Sequence, residues 1–427
     1  MSERALRIAV VCPHFAPDTA PTGVIMTRVV SELAALGHEI HVVTSLPWYA
    51  KHRVEPDWRH VRWRTRTTNE PWGSVTRLDP FAGDDKRNLV RRALGFIGFS
   101  VTAAVAGARV ARGRRLDAVF AMSPPLTLGV TGWVVARIRR APLFVNVQDV
   151  FPDAAVESGA ITNRTVIALA RRLETWVYRR AEAVTVLSED LADNLRAKVP
   201  TSRMGRIHTI PNFVDVEAIR PLDRSTDYRR QLGIDDRPVV MYAGNVGFSQ
   251  SLDLMIDAAR ELPDVWFVIN GDGAARRDLT ARARDLPNVV FGDYQPAAHL
   301  AEVLATGDVH AVLLKRGLGR VSVPSKTYSI MAAGRPIVAA IDADTEVTRL
   351  VERSAGGTCV PPDDAVAFVS AVRDLVGDLE RAREMGRSAR VHVQTVASPA
   401  AVASAYATLI ETSIDRPARP AGSGSSR

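Results

Sequence analysis

The feature that most constrains how this chain folds is an alternation of short apolar runs with stretches of helical spacing. The runs Leu6–Cys12, Asp117–Ala121, Leu143–Val147 and Ala183–Leu187 are short and mostly apolar, and Glu39–Thr44 and Ile207–Ile210 continue the series with polar residues among the apolar ones. Runs of this length and pattern mark strands covered on both faces, hence a parallel sheet with helical crossovers. Helical spacing falls between them, over 24–36, 126–139 and 163–181 and after Ser188, with Gly37 placed to end the first helix. His60–Arg66 alternates as a strand would, and another strand is expected near Val75–Asp79. A second series opens at Pro238–Tyr242 and continues through Val265–Ile269, Val289–Phe291, Val309–Leu314 and Pro336–Ile341, with helices over 252–262 and 296–305 between its runs. The expected fold class is therefore α/β, with two successive doubly wound domains. Their boundary falls in IPNFVD, residues 210–215, giving domains of 1–212 and 213–397, while residues 413–427 have the composition of a disordered tail.

Charge separates the halves. The net charge is +8, but residues 1–212 hold 30 Lys and Arg against 19 Asp and Glu, and residues 213–427 hold 25 against 28. A basic first half implies a local anionic partner. Nucleic acid is not expected, because zinc-finger spacing, interleaved aromatics and a basic heptad helix are all missing from the sequence. An anionic membrane surface or a phosphate-bearing acceptor fits better. The stretch Ala93–Ala108 carries no charge and follows Lys86, Arg87, Arg91 and Arg92. It is shorter than the ~20 residues that a membrane span requires. Two readings remain for it: a buried helix, or a helix lying on the bilayer and docked through those four cations. The two cysteines, Cys12 and Cys359, form no framework, and the N-terminus enters a strand pattern directly. A cytoplasmic protein, possible as a peripheral one on the inner face of the plasma membrane, is the expectation.

Chemistry concentrates between Lys315 and Glu346. Lys315, Arg316 and Arg320 stand in a Gly-bearing loop, which turns into a helix through Ser322, Val323 and Pro324. A helix start offers unpaired N–H groups and a positive dipole end, a seat for phosphate, and Ser325 and Lys326 add an amide and a cation to it. Only five of the 55 basic residues are lysine, and two of them lie here. Glu346 opens the following helix, either as an ordinary first-turn acid or as a ligand to sugar hydroxyls. The loop AGNVGFSQS frees its backbone at Gly244 and Gly247, and Asn245 and Gln250 can hydrogen-bond a phosphate or a sugar. In the first half, Gly23 closes the loop after the first strand. Gln148, Asp149 and Asp153 follow the strand Leu143–Val147, with Asp149 a candidate for proton handling and Asp153 a candidate helix cap. The first loop is not G-x-G-x-x-G, so a dinucleotide is not expected. Neither a metal nor another cofactor is expected.

Six segments in one order, RIAVVCPHFAPDTAPTGV, LGHEIHVVT, VQDVFPD, IPNFVD, YAGNVGFSQSLDLMIDAA and VPSKTYSIMAAGRPIVAAIDADTEV, resemble the family-four glycosyltransferases. Within that family the similarity is to bacterial colanic-acid and O-antigen N-acetylfucosamine transferases. The resemblance implies the GT-B fold, two Rossmann-like domains facing a cleft. It implies a nucleotide-diphosphate sugar donor on the C-terminal domain, of the UDP-N-acetylhexosamine kind, and a saccharide or lipid-linked acceptor on the N-terminal domain. Retention of configuration and a terminal helix near 398–412 that packs back on the first domain are also implied, as is a role in cell-surface polysaccharide synthesis. Gly23, Gly244, Asn245, Gly247, Gln250, Lys315, Arg316, Arg320, Ser325, Lys326 and Glu346 become donor-binding candidates, with Asp149 and Lys326 catalytic. The chain departs from the family's paired glutamates: Val321 and Ser329 stand in their places. A sugar-nucleotide epimerase, or a silent homologue acting as a binding partner, are the alternative readings.

Overall fold

The computed structural model describes residues 4–49, 53–81, 89–153, 156, 161–318 and 326–415, without the side chains of 89–93 and 297. The chain forms two compact units, Met1–Asn212 with Val402 onward, and Phe213–Ala401.

The first unit holds an eight-stranded sheet of order β3-β4-β2-β1-β5-β6-β7-β8. Its strands are β1 (Arg7–Val11), β2 (Glu39–Ser45), β3 (Arg66–Glu70), β4 (Gly73–Leu78), β5 (Ala118–Ser123), β6 (Leu143–Val147), β7 (Ala183–Val186) and β8 (Ile207–Thr209). All neighbours run parallel except β3 and β4, which pair antiparallel. Strand β3 is the departure from expectation. Residues 56–61 form a 3-10 turn instead of a strand, and the pairing begins only at Arg66. An exposed edge strand reading RTTNE is held by its partner's backbone and has no apolar pattern to announce it.

Helix α1 (Pro21–Ala35) starts three residues before the expected position, because Pro21 takes the first helical turn, where no N–H is needed. It buries Met26, Val29, Val30 and Leu33, one face at helical spacing. Helix α2 (Leu89–Arg109) packs on α3 (Thr127–Arg139) and on the sheet through Phe99 and Ala103. The helix Arg164–Arg180 is capped as its sequence suggests, Asn163 accepting from the N–H groups of Thr165 and Val166 at 3.0 and 3.2 Å. Side chains from both layers, Phe99, Leu128, Val145 and Val177 among them, form a single core in which each is buried. Burying one such side chain contributes about 1.5–3 kcal/mol.

The second unit holds a six-stranded, wholly parallel sheet of order β11-β10-β9-β12-β13-β14. Its strands are β9 (Val239–Ala243), β10 (Trp266–Asn270), β11 (Val289–Gly292), β12 (Val309–Leu313), β13 (Ile337–Ala340) and β14 (Gly357–Val360). The last of these is a strand that the apolar pattern does not announce. It is a four-residue, half-buried edge strand, too short to stand out. In both sheets the strand order turns about one strand, β1 between β2 and β5, and β9 between β10 and β12. Open α/β sheets bind ligands at the carboxyl ends of strands beside such a reversal.

Among the described residues one helical run, Leu379–Ile414, is long and apolar enough to cross a membrane. It is two helices, Leu379–Val396 and Pro399–Ile414, whose buried residues Ala389 and Val393 lie in the second unit and Val402, Tyr406 and Ile410 in the first. Its apolar character is thus used in packing. Helix Pro399–Ile414 runs two residues into the stretch expected to be a tail, and residues 416–427 lie outside the described structure.

Candidate active site

At the reversal in the second unit, three backbones approach closely. Gly244 N–H donates to Asn270 O at 2.9 Å, Gly271 N–H to Gly292 O at 3.0 Å, and Val246 N–H to Asp272 O at 2.9 Å. A Cβ on Gly271 would stand 1.9 Å from the Gly244 carbonyl oxygen, and φ there is +134°. Gly244, at φ +147°, likewise adopts a conformation open chiefly to glycine. Gly247 N–H is held by Gln250 Oε1 at 3.0 Å, so Gln250 braces this loop from within. A Cβ on Gly247 would meet Asn245 Nδ2 at 2.7 Å, which keeps Asn245 against the same turn.

Lys326, in the helix Lys326–Ala332, reaches back to this loop. Its Nζ lies 3.8 Å from the centroid of the Tyr242 ring, and a Cβ on Gly244 would be 3.3 Å from it. The ring is fully buried, and its hydroxyl donates to Asn245 O at 2.6 Å. Burial strips water from the ammonium and lowers its pKa from 10.5 to about 7. A cation held partly dehydrated against bare backbone has a strong preference for an anion. The residues that would complete the phosphate seat, Arg320 and Ser325 with Val321, lie outside the described residues.

Lys315 and Arg316 begin the loop after β12. Lys315 N–H donates to Ser249 O at 2.9 Å, which ties this loop to the one after β9, and its side chain is exposed. Arg316 is held to the loop before the helix Ala365–Gly377: its N–H donates to Asp363 Oδ2 at 3.1 Å and its guanidinium to Pro362 O at 3.2 Å. Burial works against ionisation of Asp363, yet Ser251, the Arg316 amide and the two cations hold its pKa below the ordinary value. Glu346 is buried in the first turn of Glu346–Ser354, behind the Thr345 cap, with Arg349 at 3.4 Å. Burial, and after it the Glu346 carboxylate, push the Tyr328 phenol up. Ser329, at one of the departed glutamate positions, stands in the same helix as Lys326.

In the first unit the strand ends carry a different chemistry. Gln148 is buried after β6 and both ends of its amide are committed: Nε2 donates to Asn146 Oδ1 at 2.7 Å, and Oε1 accepts from Asn212 Nδ2 at 2.9 Å. Asn146, fully buried, donates onward to Tyr406 Oη at 2.8 Å, so the terminal helix is joined to the end of β6. Asp149 is exposed next to this relay, and the protein packed around its carboxyl raises its pKa by displacing water. Asp153 is not a helix cap here. It pairs with Lys198 at 2.7 Å and Arg171 at 3.3 Å, and these cations outweigh burial to keep its pKa low. Lys198 also reaches the buried Glu174 at 2.9 Å, a structural ion cluster.

Gly23 lies in the first turn of α1, and a Cβ there would stand 2.8 Å from His14 Cβ. The close approach at Gly23 is thus made by the chain's own loop. That loop contains a pair absent from the expectations: His14 Nδ1 and Asp18 Oδ2 are 2.7 Å apart and buried. The available signal was a His and an Asp four apart after the first strand. Of the membrane candidates, Lys86 and Arg87 lie outside the described residues, and Arg91 and Arg92 are placed on α2 by backbone alone. Beyond them, α2 exposes Leu94, Ile97, Val101 and Val105, four apolar side chains on one face. This helix is therefore apolar on two sides, one packed and one open.

The description "Glycosyl transferase 4-like domain" matches residues 22–212, and "Glycosyl transferases group 1" matches residues 237–378. The chain is 26% identical over 385 residues to WcaI of Escherichia coli K12, described as a colanic acid biosynthesis glycosyl transferase, covering 87% of this chain and 92% of that one. Sucrose-phosphate synthase from Thermosynechococcus elongatus shares the fold at a TM-score of 0.66 and 19% identity, over 95% of this chain and 98% of that one. HepE of Anabaena, solved with UDP-glucose, superposes at a TM-score of 0.61 and 16% identity, over 95% of this chain and 100% of its own. With a family match over each parallel-sheet unit and this order of loops on both, the chain belongs to the family-four glycosyltransferases of the GT-B type and is a glycosyltransferase enzyme.

Proposed function

We propose that the enzyme moves a hexosyl or N-acetylhexosaminyl group from a uridine-diphosphate sugar, bound on the second unit, to a saccharide or lipid-linked acceptor bound on the first, with retention. The observation that carries this reading is Lys326, buried on the Tyr242 ring beside the uncovered backbone of Gly244. When the glycosidic bond breaks, charge builds on the β-phosphate, and donors fixed in advance at that phosphate lower the barrier most. Lys326 supplies one such donor. Lys315, Arg320 and the Ser325 amide are assigned to the same phosphates. The departing phosphate takes the acceptor's proton on the same face, and Asp149 orients the acceptor hydroxyl. No metal is needed in this scheme, because cations of the chain offset the developing charge. The UDP-glucose bound to HepE supports the donor class, and the colanic acid description of WcaI supports polysaccharide synthesis.

The test is a panel of UDP-sugars incubated with purified protein in EDTA, read as UDP release and as the anomeric configuration of product. Lys326→Ala should lower turnover ~100-fold or more, as for loss of an oxyanion-type donor. Turnover near normal in that variant would overturn the phosphate assignment.

The open face of α2 supports a place for the enzyme at the inner membrane face. Leu94 and Val101 are 62% and 61% exposed, and the basic residues 86–92 precede them. An apolar stripe beside a cationic cluster suits an anionic bilayer. Vesicles containing anionic lipid should sediment the protein, and should lose it on Arg91→Glu with Arg92→Glu, or on Leu94→Ser with Val101→Ser.

A further inference from the structure

We propose that His14, fixed by Asp18, is a contact for a hydroxyl of the saccharide acceptor; this rests on the transferase reading above and names a residue of its acceptor side. The pair sits just beyond β1, the strand about which the first sheet reverses between β2 and β5. That is where the topology of an open parallel sheet places a ligand.

Asp18 has no exposed side-chain surface and holds three groups at once. It accepts from His14 Nδ1 at 2.7 Å and, at longer range, from the N–H groups of Trp48 and Tyr49 at 3.4 and 3.3 Å. A carboxylate only accepts, so the imidazole proton of the neutral ring is on Nδ1 and the lone pair is on Nε2. The ring cannot swing away. Trp48 stacks on it at 5.4 Å with 30° between planes, Tyr49 meets its edge at 5.5 Å, and its Cβ abuts the bare Cα of Gly23. The His14 side chain is not wholly enclosed and keeps 11% of its surface exposed. That exposed part lies just past the end of β1, within reach of a ligand at the strand ends. Gln148, another polar side chain buried at the strand ends, already uses both ends of its amide within the protein. A neutral imidazole held in one tautomer by a carboxylate accepts a hydrogen bond from a sugar hydroxyl. His14 is the contact and Asp18 the positioning residue.

The experiment uses the full chain with methyl glycosides of glucose, galactose, mannose and N-acetylglucosamine as probes. The ring nitrogens of His14 are followed by NMR, and UDP binding by calorimetry. At a pH where the imidazole is neutral, Nε2 of the free protein should carry no proton, and at least one glycoside should shift its signal. Asp18→Asn should move the proton to Nε2 and weaken that glycoside about tenfold, while UDP affinity stays within about twofold. His14→Gln, which keeps an accepting oxygen, should restore more acceptor-stimulated UDP release than His14→Ala. A proton on Nε2 in the free enzyme at that pH, a signal unmoved across the panel, or unchanged acceptor kinetics in His14→Ala would each overturn the assignment. Wild-type protein that fails to bind UDP would instead overturn the transferase reading, and this inference with it.

Discussion

Donor binding should take up a proton at Lys326. Burial holds this ammonium near pH 7 in the free enzyme, so at pH 7.5 roughly a quarter of the molecules carry the charge. A diphosphate beside Nζ favours the charged form and raises the pKa of the complex. The contribution to affinity is therefore complete below the free value of about 7 and is lost as pH rises toward the value in the complex. With the complex well above 8.5, uptake at pH 7.5 is ~0.75 proton per UDP, and affinity falls ~25-fold from pH 6.5 to 8.5, or about 2 kcal/mol. UDP gains charge of its own near pH 6, which acts in the opposite direction. Lys326→Arg is the control, since guanidinium stays protonated throughout. Calorimetry in buffers of different ionisation enthalpy gives the proton count, and the wild type minus the Arg variant isolates Lys326. Equal pH profiles and equal proton counts in the two proteins would refute the placement of the ammonium at the phosphate.

Two further outcomes follow from backbone and relay geometry. Gly271→Ala sets a methyl against the Gly244 carbonyl oxygen at a φ of +134° and should cost about 3 kcal/mol or more in urea unfolding, with UDP binding lost in whatever folds. Tyr406→Phe removes the oxygen that accepts from the buried Asn146 amide and should destabilise the first unit by ~1–3 kcal/mol. Because Asn146 also donates to Thr185 Oγ1 at 3.1 Å, the lower end of that range is expected. Asn146→Leu in the Tyr406→Phe background should lower the urea midpoint further, because it also removes the acceptor of the buried Gln148 amide.

How far the fold could be read before the structure depended on what each element is stabilised by. Strands such as β6 and β9 are covered on both faces, so apolar content alone announces them, and β6 matches its expected bounds. Strands β3 and β14 lie at sheet edges, where a neighbour's backbone supplies the stabilisation and the side chains carry little pattern. Caps behaved likewise: Asn163 and Ser188 bond only to residues two or three ahead, so local sequence contains the whole interaction.

The candidate site divides along the same line. Gly244 and Gly247 were legible because a glycine next to a strand end has a local conformational reason, which the φ of Gly244 bears out. Lys326 stands out in the sequence as a rare lysine two residues after Pro324, but its seat on Tyr242 joins residues 84 positions apart, and no local spacing encodes it. The relay from Tyr406 through Asn146 and Gln148 to Asn212 is longer still, 260 positions in its first bond, and each member alone reads as an ordinary buried amide or phenol. His14 and Asp18 are only four apart, yet their pairing depends on Trp48, Tyr49 and Gly23 closing around the ring. Reactive groups in an open α/β unit lie on loops at adjacent strand ends, and sheet order decides which loops are adjacent. Sequence order lists the loops after β1 and β5 about a hundred positions apart, whereas the sheet makes their strands neighbours. A chain of this class therefore shows its ligand-binding residues one loop at a time, and the chemistry they perform together appears only once the strand order is known.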